Sequence, residues 1–323
     1  MKKRNFLILT IIFVGLFITV FGEDVILQLK WFNQFQFAGF YAAKEKGFYA
    51  EEGLNVTIKQ GGPLVSPLKE VLTGKAEFGI AGPDLIQMRA LGKPVKAIMT
   101  IFQQSPTCLI SLKGSGITKP EDFKNKVVGV LSDFTYVELQ LLLKKAGLTK
   151  KDIRMKRWTF NMEAFYKGEY DVVPVYITNE PDLARKAGYD VNIIKPSDYG
   201  IKFPGDTLFV TESYLKEHPN IVEKFVRATY KGWLYAIEHP EEVVNIILEK
   251  YNTQNLTKDH LMYEAKYVIK LVTARLNSIN EFGQFDMKQW EETAKLMYEY
   301  KLAKKLIDVS DLIYSEFIEK IAK

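Results

Sequence analysis

The sequence is poor in the side chains that carry covalent and metal chemistry. Its 323 residues hold one cysteine, Cys108, and three histidines, His218, His239 and His260. A single cysteine excludes an internal disulfide framework, and its distance from the start of the chain argues against an N-terminal lipid anchor. Cys108 sits in the apolar stretch 107–110, where a thiol acts as a small buried hydrophobe. The histidines are scattered, and His218 and His239 each precede a proline, as at helix entries. No His/Cys/Asp/Glu grouping has metal spacing. Nucleophile elbow, phosphate-loop and dinucleotide motifs are absent. No basic cluster interleaves with aromatics, so nucleic acid is not an expected partner. Beyond residue 21 no run is apolar enough for long enough to cross a bilayer. An enzyme, a cofactor or a metal therefore has little support.

What is present begins at the N-terminus. Lys2, Lys3 and Arg4 precede the apolar stretch 6–21, which is broken only by Thr10, Gly15 and Thr19, and Val20-Phe21-Gly22 follows as a small-x-small pattern. This is the layout of a secretory signal peptide, with cleavage expected after Gly22. The alternative is an uncleaved anchor, although the stretch falls short of the roughly 20 residues a span needs. Without the three basic residues the net charge drops from +5 to +2, so the basic balance partly belongs to this segment. The mature part is long enough for two domains with proper cores.

That part alternates strand-like and helix-like segments. Strands are predicted at 25–31, 53–59, 76–81 and 95–102, with helices at 37–46, 67–73 and from Pro83 onward. The pattern restarts with strands at 108–112, 126–131, 153–158, 172–176, 191–194 and 205–211 and a helix at 136–145. From 221 the chain is helical. Alternation of this kind predicts an α/β fold of parallel βαβ units. The restart predicts two lobes, each a mixed sheet flanked by helices, with a ligand cleft between them. The first lobe is assigned to 23–112 and 206–323, and the second, inserted lobe to 113–205. Ligands in open α/β sheets bind outside the carboxyl ends of the strands. That singles out the loops 31–39, 61–66, 82–84, 103–106, 132–136, 158–161 and 176–181, with Gly62 and Asp84 among their residues.

Residues 29–41, Leu-Lys-Trp-Phe-Asn-Gln-Phe-Gln-Phe-Ala-Gly-Phe-Tyr, resemble the opening motif of the thiamine-pyrimidine family of type II periplasmic solute-binding proteins. Further similarity lies in 42–53, Gly61-Gly62-Pro63, 74–80, the Tyr-Ile-Thr-Asn-Glu-Pro run 176–181, 198–200, 205–208 and 231–233, nearly the whole mature chain. The resemblance implies a type II fold, a ligand trapped by lobe closure, and delivery to the permease of an ABC importer by a monomeric, exported protein. Its members bind pyrimidine precursors of thiamine (hydroxymethylpyrimidine or formylaminopyrimidine type). Relatives bind riboflavin-like molecules or oxidised sulfur and nitrogen anions. Fungal enzymes that make the thiamine pyrimidine are also similar, but they require a cysteine-rich motif and an active-site histidine.

Each candidate residue has a functional and an ordinary reading. Trp31 either stacks on a planar heterocycle or belongs to the core. Asn33 and Gln34 either read a pyrimidine edge with donor and acceptor amides or form a solvated turn. Tyr176 is a second stacking candidate, with Asn179 beside Glu180. Glu180 either accepts from an exocyclic amine or caps the helix that Pro181 opens. Ser132 either offers a donor at a helix start or simply caps it. Trp158, Phe160, Tyr166 and Tyr199 are further aromatics of the second lobe. The competing readings keep the fold and exchange the ligand for a flavin-like or sulfonate-type solute, or make the chain a sensory module working with a separate receptor.

Overall fold

The computed structural model describes residues 22–131 and 134–322. The expected export segment up to residue 21, and Ser132, lie outside these. Strand β1 (Glu23–Gln28) begins directly after the expected cleavage point. It is followed by α1 (Ala38–Glu45), α2 (Phe48–Glu51), β2 (Leu54–Lys59), α3 (Pro67–Leu72), β3 (Phe78–Ala81), α4 (Asp84–Ala90) and β4 (Val95–Thr100). A second group contains β5 (Thr107–Leu112), β6 (Val127–Val130), α5 (Phe134–Lys145), β7 (Arg154–Arg157), α6 (Met162–Tyr166), β8 (Val173–Tyr176), α7 (Glu180–Lys186) and β9 (Val191–Ile194). The chain returns through β10 (Thr207–Thr211) and closes with α8 (Glu212–Glu217), α9 (Pro219–Glu238), α10 (Pro240–Lys250), α11 (Lys258–Val272), α12 (Met287–Glu299) and α13 (Glu316–Ile321).

The first lobe holds a five-stranded sheet in the order β2-β1-β3-β10-β4. β1 runs parallel to β2 and β3, and β10 is antiparallel to β3 and β4. All four residues of β3 are buried, as a central strand covered on both faces requires. The second lobe holds β8-β5-β9 and the parallel pair β6-β7, linked where Val128 bridges to Val172. This corrects one expected boundary. β5 pairs with β8 and β9, so the sheets separate before Thr107 rather than at 112. An apolar strand reads the same in either sheet; only its partners decide.

Two chain segments cross between the lobes side by side. Ile101 and Phe102 donate their amides to the carbonyl of Asp206 (2.8 and 3.0 Å), Gly205 donates to Phe102 (2.9 Å), and Ser105 donates to Phe203 (2.7 Å). The buried Gln289 of α12 donates its side-chain amide to the carbonyls of Gln103 and Lys202, one in each crossing (3.2 and 3.3 Å). The C-terminal region is also not purely first-lobe. Trp290, Ala294 and Met297 of α12 enter a first-lobe core, while Leu296 and Tyr300 pack on the core of the second lobe.

The first lobe owes its main helix contact to two glycines. α1 crosses α9 so closely that a Cβ at Gly39 would stand 2.1 Å from Cγ of Trp233, and one at Gly232 would stand 2.2 Å from the carbonyl oxygen of Gly39. The first would strike the buried indole of Trp233 and the second the backbone of α1. Gly39→Ala and Gly232→Ala are each expected to lose roughly 1–3 kcal/mol through overpacking, read as a lower urea midpoint at unchanged slope. Gly114→Ala, where a Cβ meets nothing within 4 Å, is the control.

Candidate functional site

The cleft between the lobes has a volume of about 1290 Å³. Its lining comes from the loop after β1, the turn after β2, the start of α4, the first residue of β5, the ends of β6 and β7, and the stretch 174–180. These are the loops at the carboxyl ends of the strands, where sheet geometry places a ligand. Thr107 takes the place expected for 103–106, which form the crossing instead.

The loop after β1 builds the first-lobe wall. Leu29 still pairs with the carbonyl of Lys59 (2.9 Å), and then the chain leaves the sheet. Lys30 turns its ammonium to Oδ1 of Asp206 (3.0 Å) and donates to the hydroxyl of Tyr176 (3.1 Å). Gln36 donates to the other oxygen of Asp206 (2.6 Å), and Gln34 donates to Gln36 (2.7 Å). Asp206 lies in the second crossing and Tyr176 ends β8 of the opposite lobe, so this chain of bonds joins both lobes to the point where they meet. Burial works against the charge on Lys30, but Asp206 and Tyr176 outweigh it and hold the ammonium above its ordinary pKa. The turn at Gly61 depends on glycine, since a Cβ there would stand 2.4 Å from the carbonyl oxygen of Leu29. Gly62 follows at φ 149° and lines the cleft. Asp84 lines it too, while its carboxylate accepts from the amide of Gly82 (2.6 Å) at the entry to α4.

The second-lobe wall is aromatic and acidic. Trp31 and Phe160 reach each other from opposite lobes, with ring centroids 5.1 Å apart and planes inclined by 54°. Trp158 stands behind Phe160 at 6.1 Å. Glu180 is buried, and its carboxylate accepts from the amide of Tyr176 (3.0 Å) and from the side chain of Asn179 (3.2 Å). Burial pushes its pKa up to about 7 despite the Tyr176 amide. Glu180 is thus the first residue of α7 folded back onto the end of β8, and Asn179 holds the cap position.

Trp31, Gln34, Gly62, Asp84, Tyr176, Asn179 and Glu180 all line this one cleft. Asn33 does not: it is buried in the first lobe, where its side-chain oxygen accepts from the hydroxyl of Tyr41 (2.9 Å) and its carbonyl from Gln254 (3.0 Å). An amide two residues after Trp31 points the other way in space. Ser132 lies outside the described residues. Tyr166 stacks on Tyr189 at 4.2 Å, away from the cleft, and Tyr199 packs against the second-lobe core. Lys30, Gln36 and Asp206 escaped the sequence reading. The available signal was a lysine between Leu29 and Trp31 at the end of an apolar strand, a charge that demands a partner when buried.

The two lobes, their double crossing and the cleft between them are the architecture of periplasmic solute-binding proteins. The aliphatic sulphonate binding protein SsuA from Escherichia coli superposes with a TM-score of 0.70 at 16% identity, covering 91% of this chain and 92% of its own. Residues 34–243 match the NMT1/THI5 like family, and the chain belongs to it. The riboflavin-binding protein RibY of Chloroflexus aurantiacus is 25% identical over 309 residues, 92% of this chain and 86% of that protein. The formylaminopyrimidine-binding protein of Halalkalibacterium halodurans is 26% identical over 275 residues, covering 84% and 83%. The family also includes catalysts. A 4-amino-5-hydroxymethyl-2-methylpyrimidine phosphate synthase from Legionella pneumophila is 27% identical over 230 residues, 70% of this chain and 73% of the synthase.

The side chain of Asp206 is 2% exposed, so its charge has no solvent to fall back on. Lys30→Met is therefore expected to cost about 3–5 kcal/mol, the usual effect of stranding one member of a buried pair. The double variant Lys30→Met/Asp206→Asn should regain most of that. Urea unfolding of the three proteins without ligand measures both.

Proposed function

We propose that this chain captures a planar nitrogen heterocycle of the thiamine-precursor pyrimidine type outside the cytoplasm and presents it to the permease of an ABC importer. The observation that carries the reading is the pair of rings at the cleft, Trp31 from one lobe and Phe160 from the other, next to the buried carboxylate of Glu180. Either ring offers a face on which a flat ring can stack at low entropy cost. A buried carboxylate with an amide beside it favours a ligand that presents N–H groups. The formylaminopyrimidine-binding relative supports the assignment. The export pattern of the first 22 residues supports a site of action beyond the membrane, and no helix among the described residues is long and apolar enough to cross one.

Two features favour capture over turnover. Among the described residues the cleft lining contains neither histidine nor cysteine. Cys108 lies within the second lobe, where burial raises its thiol well above the ordinary pKa and so away from the reactive thiolate. A sulfonate is a weaker fit. Lys30 is committed to Asp206, and the arginine at the cleft is the exposed Arg157 rather than a buried fork. A flavin-like ligand is the second reading. The cleft exceeds the roughly 300–1,000 Å³ of ordinary small-molecule sites, and RibY is among the relatives.

Thermal-shift titration of the mature protein with formylaminopyrimidine, riboflavin and an alkylsulfonate separates these readings. A ligand at a hundred times its Kd adds about 2.7 kcal/mol of stability. The pyrimidine should raise the midpoint, and Trp31→Ala and Glu180→Ala should each weaken its binding about tenfold or more, ~1.4 kcal/mol. Stabilisation by riboflavin alone would select the flavin reading. Stabilisation by the sulfonate alone would overturn both.

A further inference from the structure

The cleft wall formed by Asn179 and Glu180 is tied to the opposite lobe through one histidine. His260 lies on α11 of the first lobe and is 2% exposed. Its Nδ1 stands 2.7 Å from Oδ2 of Asp182, and its Nε2 stands 3.0 Å from Oδ1 of Asn179 and 3.4 Å from Oε1 of Glu264. Asp182 and Asn179 belong to the second lobe. The orientation of the Asn179 amide is set from its other end, where its nitrogen donates to Glu180. Both imidazole nitrogens therefore face oxygen acceptors. Neutral imidazole carries one N–H and imidazolium carries two, so only the charged ring satisfies both contacts.

We propose that His260 is a positioning residue. As a doubly protonated imidazolium it clamps Asp182 and Asn179 of the second lobe onto α11 of the first, and so fixes the Asn179–Glu180 pair in place at the cleft. The inference deepens the ligand-binding reading of the cleft and rests on it for the role of that pair.

The surroundings of His260 supply the charge that keeps its proton. From α7 come Asp182, Lys186 and, two residues before Asp182, Glu180. Lys186 reaches Asp182 at 3.0 Å, and Arg185 closes on the same carboxylate. Burial opposes ionisation of Asp182, but Arg185, His260 and Lys186 together pull its pKa to about 2. From its own helix His260 faces Glu264, wholly buried, whose second oxygen accepts from the amide of Phe35 (2.7 Å). Tyr263, beside it on α11, donates to the carbonyl of Ile177 in the second lobe (3.0 Å). The acids of α10 are occupied elsewhere, Glu241 by Lys258 and Glu242 by Lys46. Burial disfavours the charge on His260, but hydrogen bonding and attraction to Glu264 and Asp182 outweigh it, so its pKa lies above the ordinary histidine value. A group raised in the folded state contributes fully below its unfolded pKa, and that contribution disappears as pH rises through the folded one. The clamp is thus fully set below the ordinary histidine value and is released as pH rises through the higher value of the folded protein.

The test uses the mature protein without ligand. Spin labels at the exposed positions Lys69→Cys in the first lobe and Lys150→Cys in the second report the distance between lobes, and the native Cys108 is buried. The distribution should be narrow at pH 6 and longer and broader at pH 9. With His260→Gln added, the longer distribution should appear at both. An unchanged wild-type distribution between the two pH values would overturn the proposal, as would a variant that keeps the wild-type response. Nitrogen NMR of the wild-type imidazole needs no variant: two protonated ring nitrogens for His260 at pH 6 are expected, and one would overturn the clamp. A ligand arm follows with formylaminopyrimidine and riboflavin as probes. His260→Gln should weaken whichever probe binds by about tenfold at pH 7, and undiminished binding would overturn the positioning role. If neither probe binds wild type, the ligand reading fails while the distance and NMR results still decide the clamp.

Discussion

A lysine ammonium drawn into the angle between two domains sets the terms for the rest of this structure. Lys30 leaves the end of β1 with most of its surface covered, so it must find its counter-charges within the protein. Asp206 supplies one from the returning crossing, and Tyr176 supplies a hydroxyl from the far lobe. The same carboxylate then orders Gln36, which orders Gln34. A charged cluster of this kind adds little net stability compared with an apolar plug of the same shape. It adds register: the strand end, the crossing and the opposite wall are mutually placed by bonds that tolerate no slip.

The cleft then divides its labour between surfaces of different discrimination. Under the proposed function, aromatic faces at Trp31 and Phe160 would accept almost any flat ring and reward its area. Buried polar groups such as Glu180 and Asn179 are more exacting, because a ligand without the matching groups leaves them unsatisfied. The proteins this chain resembles carry names with ligands as unlike as formylaminopyrimidine and riboflavin. Under the proposed function, the aromatic faces would suit either ligand, and selection between them would rest on what meets the buried carboxylate and how much of the large cleft is filled.

Much of this was legible in the sequence because it is local. Strand-end loops were readable from alternation and from Gly61, Gly62 and Pro83, and they line the cleft. Trp31, Gln34, Tyr176 and Glu180 stood out as aromatic or polar residues at those ends. What could not be read is long-range pairing. Lys30 and Asp206 are 176 positions apart, and His260 and Asp182 are 78 apart. No periodicity announces such meetings, and His260 in a helical stretch looks like any other helix residue. Asn33 misled for the opposite reason: its neighbours in sequence face the cleft while its own side chain turns toward Tyr41. The strand at 107–112 misled because an apolar pattern shows that a strand is buried and not which sheet buries it.

Helix α12 narrows what movement the molecule retains. Two antiparallel crossings by themselves would let the lobes bend, twist and shear about a flexible waist. A helix seated on both hydrophobic cores, with Gln289 bonded to each crossing, penalises every displacement that lifts it from either side. The displacement least penalised is a rotation of the lobes about that helix, which keeps it seated on both cores. Such a molecule has in effect one mechanical degree of freedom. Any partner that senses how far one lobe has turned against the other learns from one coordinate whether the cleft is open or shut.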